Sequence, residues 1–180
     1  MMPALTTLQP EALWKHFDRL AAIPRASTKE AAAREYVLSL AAKLGLEYMQ
    51  DDMGNLVIRK PAWPGREAAP IALLQGHLDM VCEKNEGTIH DFDVDPIQVV
   101  RDGDWLKADG TTLGSDNGIG VAAALAVMES NDISHGPLEF LFTIDEESGL
   151  TDAAAFPGGL ISATDFSPPT TSVKYFSATL

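Results

Sequence analysis

His77, Asp79, Asp116 and the pair Glu146 and Glu147 are the residues of this chain whose types and spacing could do chemistry. Each follows an apolar run or opens a helix-forming stretch, so each is expected at a strand end or helix start. Imidazole and carboxylate are favoured zinc ligands, and two zinc ions about 3.5 to 4 Å apart need a carboxylate between them. Asp116 suits that bridge. His77 projects from a strand end and Asp79, two residues on, lies on the same side, where its carboxylate can hold the ring nitrogen that does not bind metal. Adjacent glutamates can divide labour, with Glu147 on the metal and Glu146 taking a proton from the attacking water. The apolar strand before them provides a rigid base and limits solvent, which raises a carboxylate pKa.

Taken singly, each segment has an ordinary explanation. A lone His-x-Asp is usually a side-chain hydrogen bond, Asp116-Asn117-Gly118 has turn composition, and Asp145-Glu146-Glu147 reads as a solvated strand end. Their joint occurrence in order carries the reading. Gly-x-Ser-x-Gly, His-Glu-x-x-His, the Walker lysine and Gly-x-Gly-x-x-Gly are missing, which removes support for serine hydrolase, zincin and nucleotide-binding functions. His16 and His135 are expected on the surface or on helix faces, and His90 with Asp91 to Asp95 as loop polarity. Cys82 reads as a small packing residue.

The elements that must position these side chains follow from periodicity. Pro10 starts a helix whose apolar face is Leu13, Trp14, Phe17, Leu20 and Ala21, ending at Pro24. Ser27-Thr28-Lys29-Glu30 has capping-box composition before a second helix that stops at Gly45. Strands are expected near 47–50 and 56–59 around a Met53-Gly54-Asn55 turn. Ile71 to Leu74 is short and wholly apolar, as in a strand buried on both faces. Residues 97–100 and 105–108 flank an Asp-Gly hairpin turn. An Ala-rich helix follows Asp116, and Leu138 to Ile144 forms another apolar strand. Strands alternating with helices, with polar residues at strand ends, predict an α/β layered sheet with its site along one edge.

Composition narrows the function. The 180 residues suit one domain, and 46% hydrophobic with 22% charged residues is ordinary for a globular chain. A net charge of -13 and no basic stripe argue against nucleic acid as a partner. No apolar run approaches the roughly 20 residues of a membrane span, so no membrane partner is expected. A single cysteine and an N-terminus without signal-peptide features predict a cytoplasmic location.

Gly76-His77-Leu78-Asp79-Met80-Val81, the stretch from Gly110 to Gly120 and Asp145-Glu146-Glu147-Ser148-Gly149-Leu150 closely resemble the aminoacyl-histidine dipeptidase family. That family lies within the di-zinc superfamily of aminoacylases, carboxypeptidases and dipeptidases. The similarity runs from about Leu8 to about Ile161. It implies the N-terminal part of a di-zinc peptidase catalytic domain, a layered sheet flanked by helices, without the family's lid domain. It further implies His77 on one zinc, Asp116 as bridge, Glu147 on the other, Glu146 as general base, Asp79 as orienting aspartate and a cis Asp116–Asn117 peptide. Cobalt or manganese would be substitutes for zinc. The implied partner is a small peptide substrate, with a homodimer in the intact family.

The pattern departs after Ile161, so residues 1–161 are expected to form a partial catalytic domain and 162–180 a divergent tail, truncated or frame-shifted. Pro168 and Pro169 stand where a buried strand should run, and the expected metal-binding aspartate falls near Thr171. Asp165 stands too early to replace it. Each zinc would then keep two protein ligands, below the three expected at a catalytic site. The expected activity is hydrolysis of dipeptides, impaired in this chain. The alternatives are a non-catalytic metal-binding or partly unfolded remnant, and a deacylase or aminopeptidase on the same scaffold.

Overall fold

The computed structural model describes residues 2–148. The expected tail at 162–180, with Asp165 and Thr171, lies outside the described residues. A short 3-10 turn at Pro3–Leu5 leads into α1 (Glu11–Ala21) and α2 (Ala31–Lys43). Next come β1 (Glu47–Gln50), β2 (Leu56–Lys60), β3 (Ala72–His77), β4 (Val99–Asp102), β5 (Trp105–Ala108), α3 (Ser115–Glu129) and β6 (Leu138–Thr143). None of the described helices is long and apolar enough to cross a membrane.

The main sheet has the order β1-β2-β6-β3, and β4 with β5 forms a separate hairpin. β3 runs parallel to β6, whereas β1, β2 and β6 pair antiparallel. All six residues of β6 are buried because this strand lies between β2 and β3. Alternation divides them: Leu138, Phe140 and Phe142 join the main core with α1 and α3, while Leu141 meets Val57 and Leu73 on the other face. Burying Phe140 and Phe142 contributes about 1.5 to 3 kcal/mol each. β3 is an edge strand among the described residues, and it is not buried on both faces as its apolar composition suggested: Ala72 and Gln75 are exposed and Leu74 is half-buried, while Leu73, Gly76 and His77 are buried. Its pairing runs on through Gln75, Gly76 and His77.

α1 presents Phe17, Leu20 and Ala21 to the core, as its apolar spacing predicts, and α3 buries Val121, Ala122, Ala124, Leu125 and Met128. Small residues let α3 approach β3. A methyl group built on Gly76 would lie 3.0 Å from Asn117 Oδ1 and 3.1 Å from a Val121 methyl. α2 ends as expected, with Gly45 at φ +67 and Leu46 N–H donating to Ala41 O.

The capping box is not formed. Glu30 is the residue before α2, and no side chain caps that helix. Ser27 donates instead to Asp79, and Glu30 accepts the N–H of Thr28 and of Asp145. A distant acceptor, Asp79, takes the Ser27 hydroxyl, and a distant donor, the Asp145 N–H, shares Glu30 with the local Thr28 N–H. His16 is on a helix face, one of the two places expected for it, and that face of α1 is buried between Tyr36 and Glu129.

Candidate metal centre

The parallel pairing of β3 with β6 puts the ends of both strands at one edge of the sheet. His77 is the last residue of β3, and the pairing extends one step further through Leu78 N–H to Thr143 O. Asp79 therefore lies beside the turn that carries Asp145, Glu146 and Glu147. Asp116 arrives from the other side, at the start of α3, where it and Asn117 have non-helical backbone angles. The Asp116–Asn117 peptide is cis, as the resemblance implied.

All five residues singled out in the sequence meet here. His77 Nδ1 lies 3.2 Å from Asp79 Oδ1, and His77 Nε2 lies 3.1 Å from Asp116 Oδ1 and 4.0 Å from Glu146 Oε2. One ligand atom each from His77, Asp116 and Glu147 falls within 4.8 Å of the others. This is the one such group of three or more His, Cys, Asp or Glu side chains among the described residues. His77 is buried while Asp116 and Glu147 are exposed, so the group faces solvent from a protein-lined floor.

Asp79 is that floor. Its carboxylate is fully buried and accepts from Ser27 Oγ at 2.7 Å, Glu146 N–H at 3.2 Å and Glu147 N–H at 3.0 Å, besides meeting His77. Burial favours its neutral form. The hydrogen bonds from His77, the Glu147 amide, Ser27 and the Glu146 amide outweigh burial and hold Asp79 far below the usual carboxylate range. Burial likewise opposes charge on His77, yet hydrogen bonds to Asp79 and Asp116 raise its pKa. Desolvation raises the Glu147 carboxyl, with His77 opposing and Glu146 and Asp116 adding to the rise.

Residues from the connection between α1 and α2 complete the support, and sequence reasoning missed them. Arg25 is buried and donates to the carbonyls of Leu78, Asp79 and Gly114. Glu30 is buried too, and its Oε1 holds Asp145 N–H at 3.0 Å and Thr28 N–H at 2.8 Å. Thr28 and Asp145 are the two non-glycine residues at positive φ among those described, 68° and 53°. Such backbone costs about 1 to 3 kcal/mol per residue, and the shared carboxylate oxygen holds both in place. Asn55 fixes the same turn by accepting Ile144 N–H at 3.1 Å. No local pattern signals these partners, which lie more than 50 residues away along the chain for Arg25 and Ser27.

The sheet with its acidic edge and buried aspartate behind a histidine defines a class: residues 73–168 match Peptidase family M20/M25/M40, and the chain belongs to that family. Within it, the chain is 46% identical to cytosol non-specific dipeptidase of Escherichia coli, over 90% of its own length and 33% of that protein's. The crystal structure of aminoacylhistidine dipeptidase from Vibrio alginolyticus superposes with a TM-score of 0.86 at 48% identity. That match covers 88% of this chain and 32% of the Vibrio chain. A tripeptidase from Staphylococcus aureus matches at 25% identity and a TM-score of 0.69, covering 85% of this chain and 41% of that one. The chain thus spans about a third of the length of the two dipeptidases.

Proposed function

We propose that this chain carries part of the di-zinc centre of a cytoplasmic dipeptidase that hydrolyses dipeptides, the Xaa-His type included. The observation that carries the reading is the convergence of His77, Asp116 and Glu147 within 4.8 Å, with Glu146 beside them and Asp79 behind. One imidazole and two carboxylates are a donor set that zinc accepts, with cobalt or manganese as substitutes. His77 would hold one ion through Nε2, Asp116 would bridge, and Glu147 would hold the other. Zinc bound there would polarise the scissile carbonyl and acidify the attacking water.

The remaining work falls to the chain's own residues. Asp79, with its pKa held low, stays ionised and accepts the Nδ1 proton of His77, so Nε2, which faces Asp116 and Glu146, is the nitrogen that would give up its proton to hold a metal. Glu146 has a partly exposed side chain and a main-chain N–H anchored on Asp79, so its carboxylate can take a proton from water without losing its position. Dipeptides as substrates and the cytoplasmic location rest on similarity to the two dipeptidases.

A second reading is metal binding without turnover, favoured by the single group of three candidate ligands among the described residues. Catalytic zinc ordinarily has three protein ligands per ion. The test incubates the full chain with zinc, measures bound metal by elemental analysis, and assays Xaa-His dipeptides, N-acyl amino acids and longer peptides. Dipeptide turnover that falls about 10²- to 10⁴-fold in Glu146→Gln supports the dipeptidase reading. Bound zinc with no turnover supports the second reading, and turnover of N-acyl amino acids alone points to a deacylase. Absence of bound zinc would falsify both metal readings.

A further inference from the structure

Two segments bearing candidate ligands approach each other at the site: the end of β3 with His77, and the turn before α3 with Asp116. Backbone hydrogen bonds join the two stretches further out, from Thr112 N–H to Glu83 O and from Asn85 N–H to Gly110 O, and none joins residues 77–80 to residues 114–116 themselves. Arg25 lies between them. Its Nη1 donates to Leu78 O at 3.0 Å and Asp79 O at 2.9 Å, and its Nη2 donates to Gly114 O at 2.5 Å. Leu78 follows His77 directly, and Gly114 stands two residues before Asp116. The backbone around Arg25 is itself tied to this edge, since Met80 N–H donates to Arg25 O at 3.1 Å and Ala26 bridges Met80.

The surroundings are shaped to the guanidinium. A methyl group built on Gly114 would lie 2.6 Å from Nη2, and one built on Gly118 would lie 2.7 Å from the same nitrogen. Both contacts are closer than real side chains tolerate, so the turn before α3 and the first turn of α3 close on the planar head. Arg25 Nε has no acceptor, which leaves the two Nη groups with all three carbonyls. Burial lowers the Arg25 pKa to about 10, with Asp79 and Cys82 opposing, so the group stays a cation at neutral pH. A planar cation with rigid, divergent donors can span two segments in a way that one lysine nitrogen cannot.

We propose that Arg25 is a positioning residue of the metal centre, a brace that sets the separation between His77 and Asp116 by holding the backbone beside each. The inference rests on the metal reading above. It assigns Arg25 no contact with metal or substrate. Its action is to present the imidazole and the carboxylate at a spacing that one zinc can meet without reordering either loop.

The experiment measures zinc affinity of the full chain by chelator competition for wild type, Arg25→Lys, Arg25→Gln and Val37→Ala. Val37 is buried on α2, a helix that carries none of the candidate ligands, so its variant reports the effect of a generic core defect. Metal-free unfolding is followed in parallel by circular dichroism. The expected result is folded protein throughout, affinity about 10- to 100-fold weaker in Arg25→Gln, and an intermediate loss in Arg25→Lys, with Val37→Ala near wild type. Affinities of both Arg25 variants within about twofold of Val37→Ala overturn the inference. Failure of Arg25→Lys to fold also overturns it, because Arg25 would then be required by the fold and not by the spacing of ligands. A wild-type chain that binds no zinc defeats the metal reading itself, which distinguishes that failure from this one.

Discussion

His16 and His77 are both buried, at 3% and 6% exposure, both have an oxygen close to each ring nitrogen, and their proton affinities shift in opposite directions. His16 sits among helices, with Nδ1 2.6 Å from the Tyr36 hydroxyl and Nε2 3.3 Å from Glu129 Oε1. Burial lowers its pKa, Glu129 works against that fall, and Lys15 adds to it. Burial also pushes Tyr36 up to about 12, so the hydroxyl remains protonated. At His77 the same burial is overcome, because Asp79 and Asp116 face the two nitrogens and Glu146 adds its charge. Desolvation has one sign for every histidine; the number and placement of carboxylates decide the outcome. The helical site ties α1, α2 and α3 together, whereas the strand-end site gathers negative charge around an imidazole.

The largest separation between the two histidines should come from deletion. His77→Ala is expected to abolish measurable zinc binding, while His16→Ala leaves affinity within about twofold, because only one of the two faces the ligand group. Zinc titration of both variants checks this, and equal losses would break the comparison. Asp79→Asn comes next. An amide keeps the shape but loses the charge and one acceptor, so zinc affinity should fall about 10- to 100-fold and stability by about 1 to 3 kcal/mol. Urea unfolding alongside zinc titration separates those effects.

The pH dependence is smaller and opposite in sign at the two sites. In metal-free protein, His77 should titrate above the usual 6.5 and His16 below it, which imidazole proton resonances measure directly. Because its folded pKa is lowered, His16 costs stability as pH falls through 6.5 toward its folded value. His77 has a raised folded pKa, so its contribution is complete below 6.5 and is lost as pH rises through the folded value. Comparing urea unfolding of wild type with His16→Gln from pH 7.5 to 5 isolates the first of these terms, since removing the imidazole should flatten the acid side; an unchanged slope would contradict the assigned direction. The smallest effect is expected from Ser27→Ala. It removes one of the donors to Asp79 and should cost about 1 kcal/mol, with a zinc loss of only a few-fold.

Much of the fold could be read along the chain, because its signals are local. The apolar spacing of Phe17, Leu20 and Ala21 places α1, Gly45 ends α2, and the Asp-Gly signal marks the β4–β5 hairpin, whose two-residue turn is Gly103-Asp104, with Gly103 at φ +61. The candidate ligands were equally legible, since His77, Asp116 and Glu147 each stand at the end of an apolar run or the start of a helix. Their supports were not. Ser27 and Glu30 have the spacing of a helix cap, and nothing in four residues reveals that an ionised Asp79 and the N–H of Asp145 offer better partners. The burial of His16 was not legible either, because amphipathic patterns do not show that Tyr36 and Glu129 converge on one spot of its helix face.

The order of chemically competent residues, their helix and strand contexts and their membership of one peptidase family were settled by the sequence itself. Those properties depend on neighbours a few positions apart. Which face of β6 enters the core, the edge position of β3 among the described residues, and the placement of Arg25 between Leu78 and Gly114 were decided only by the tertiary structure. Buried polar groups must find partners wherever the folded chain brings them, and the contacts that define the floor of this site join residues more than 50 positions apart.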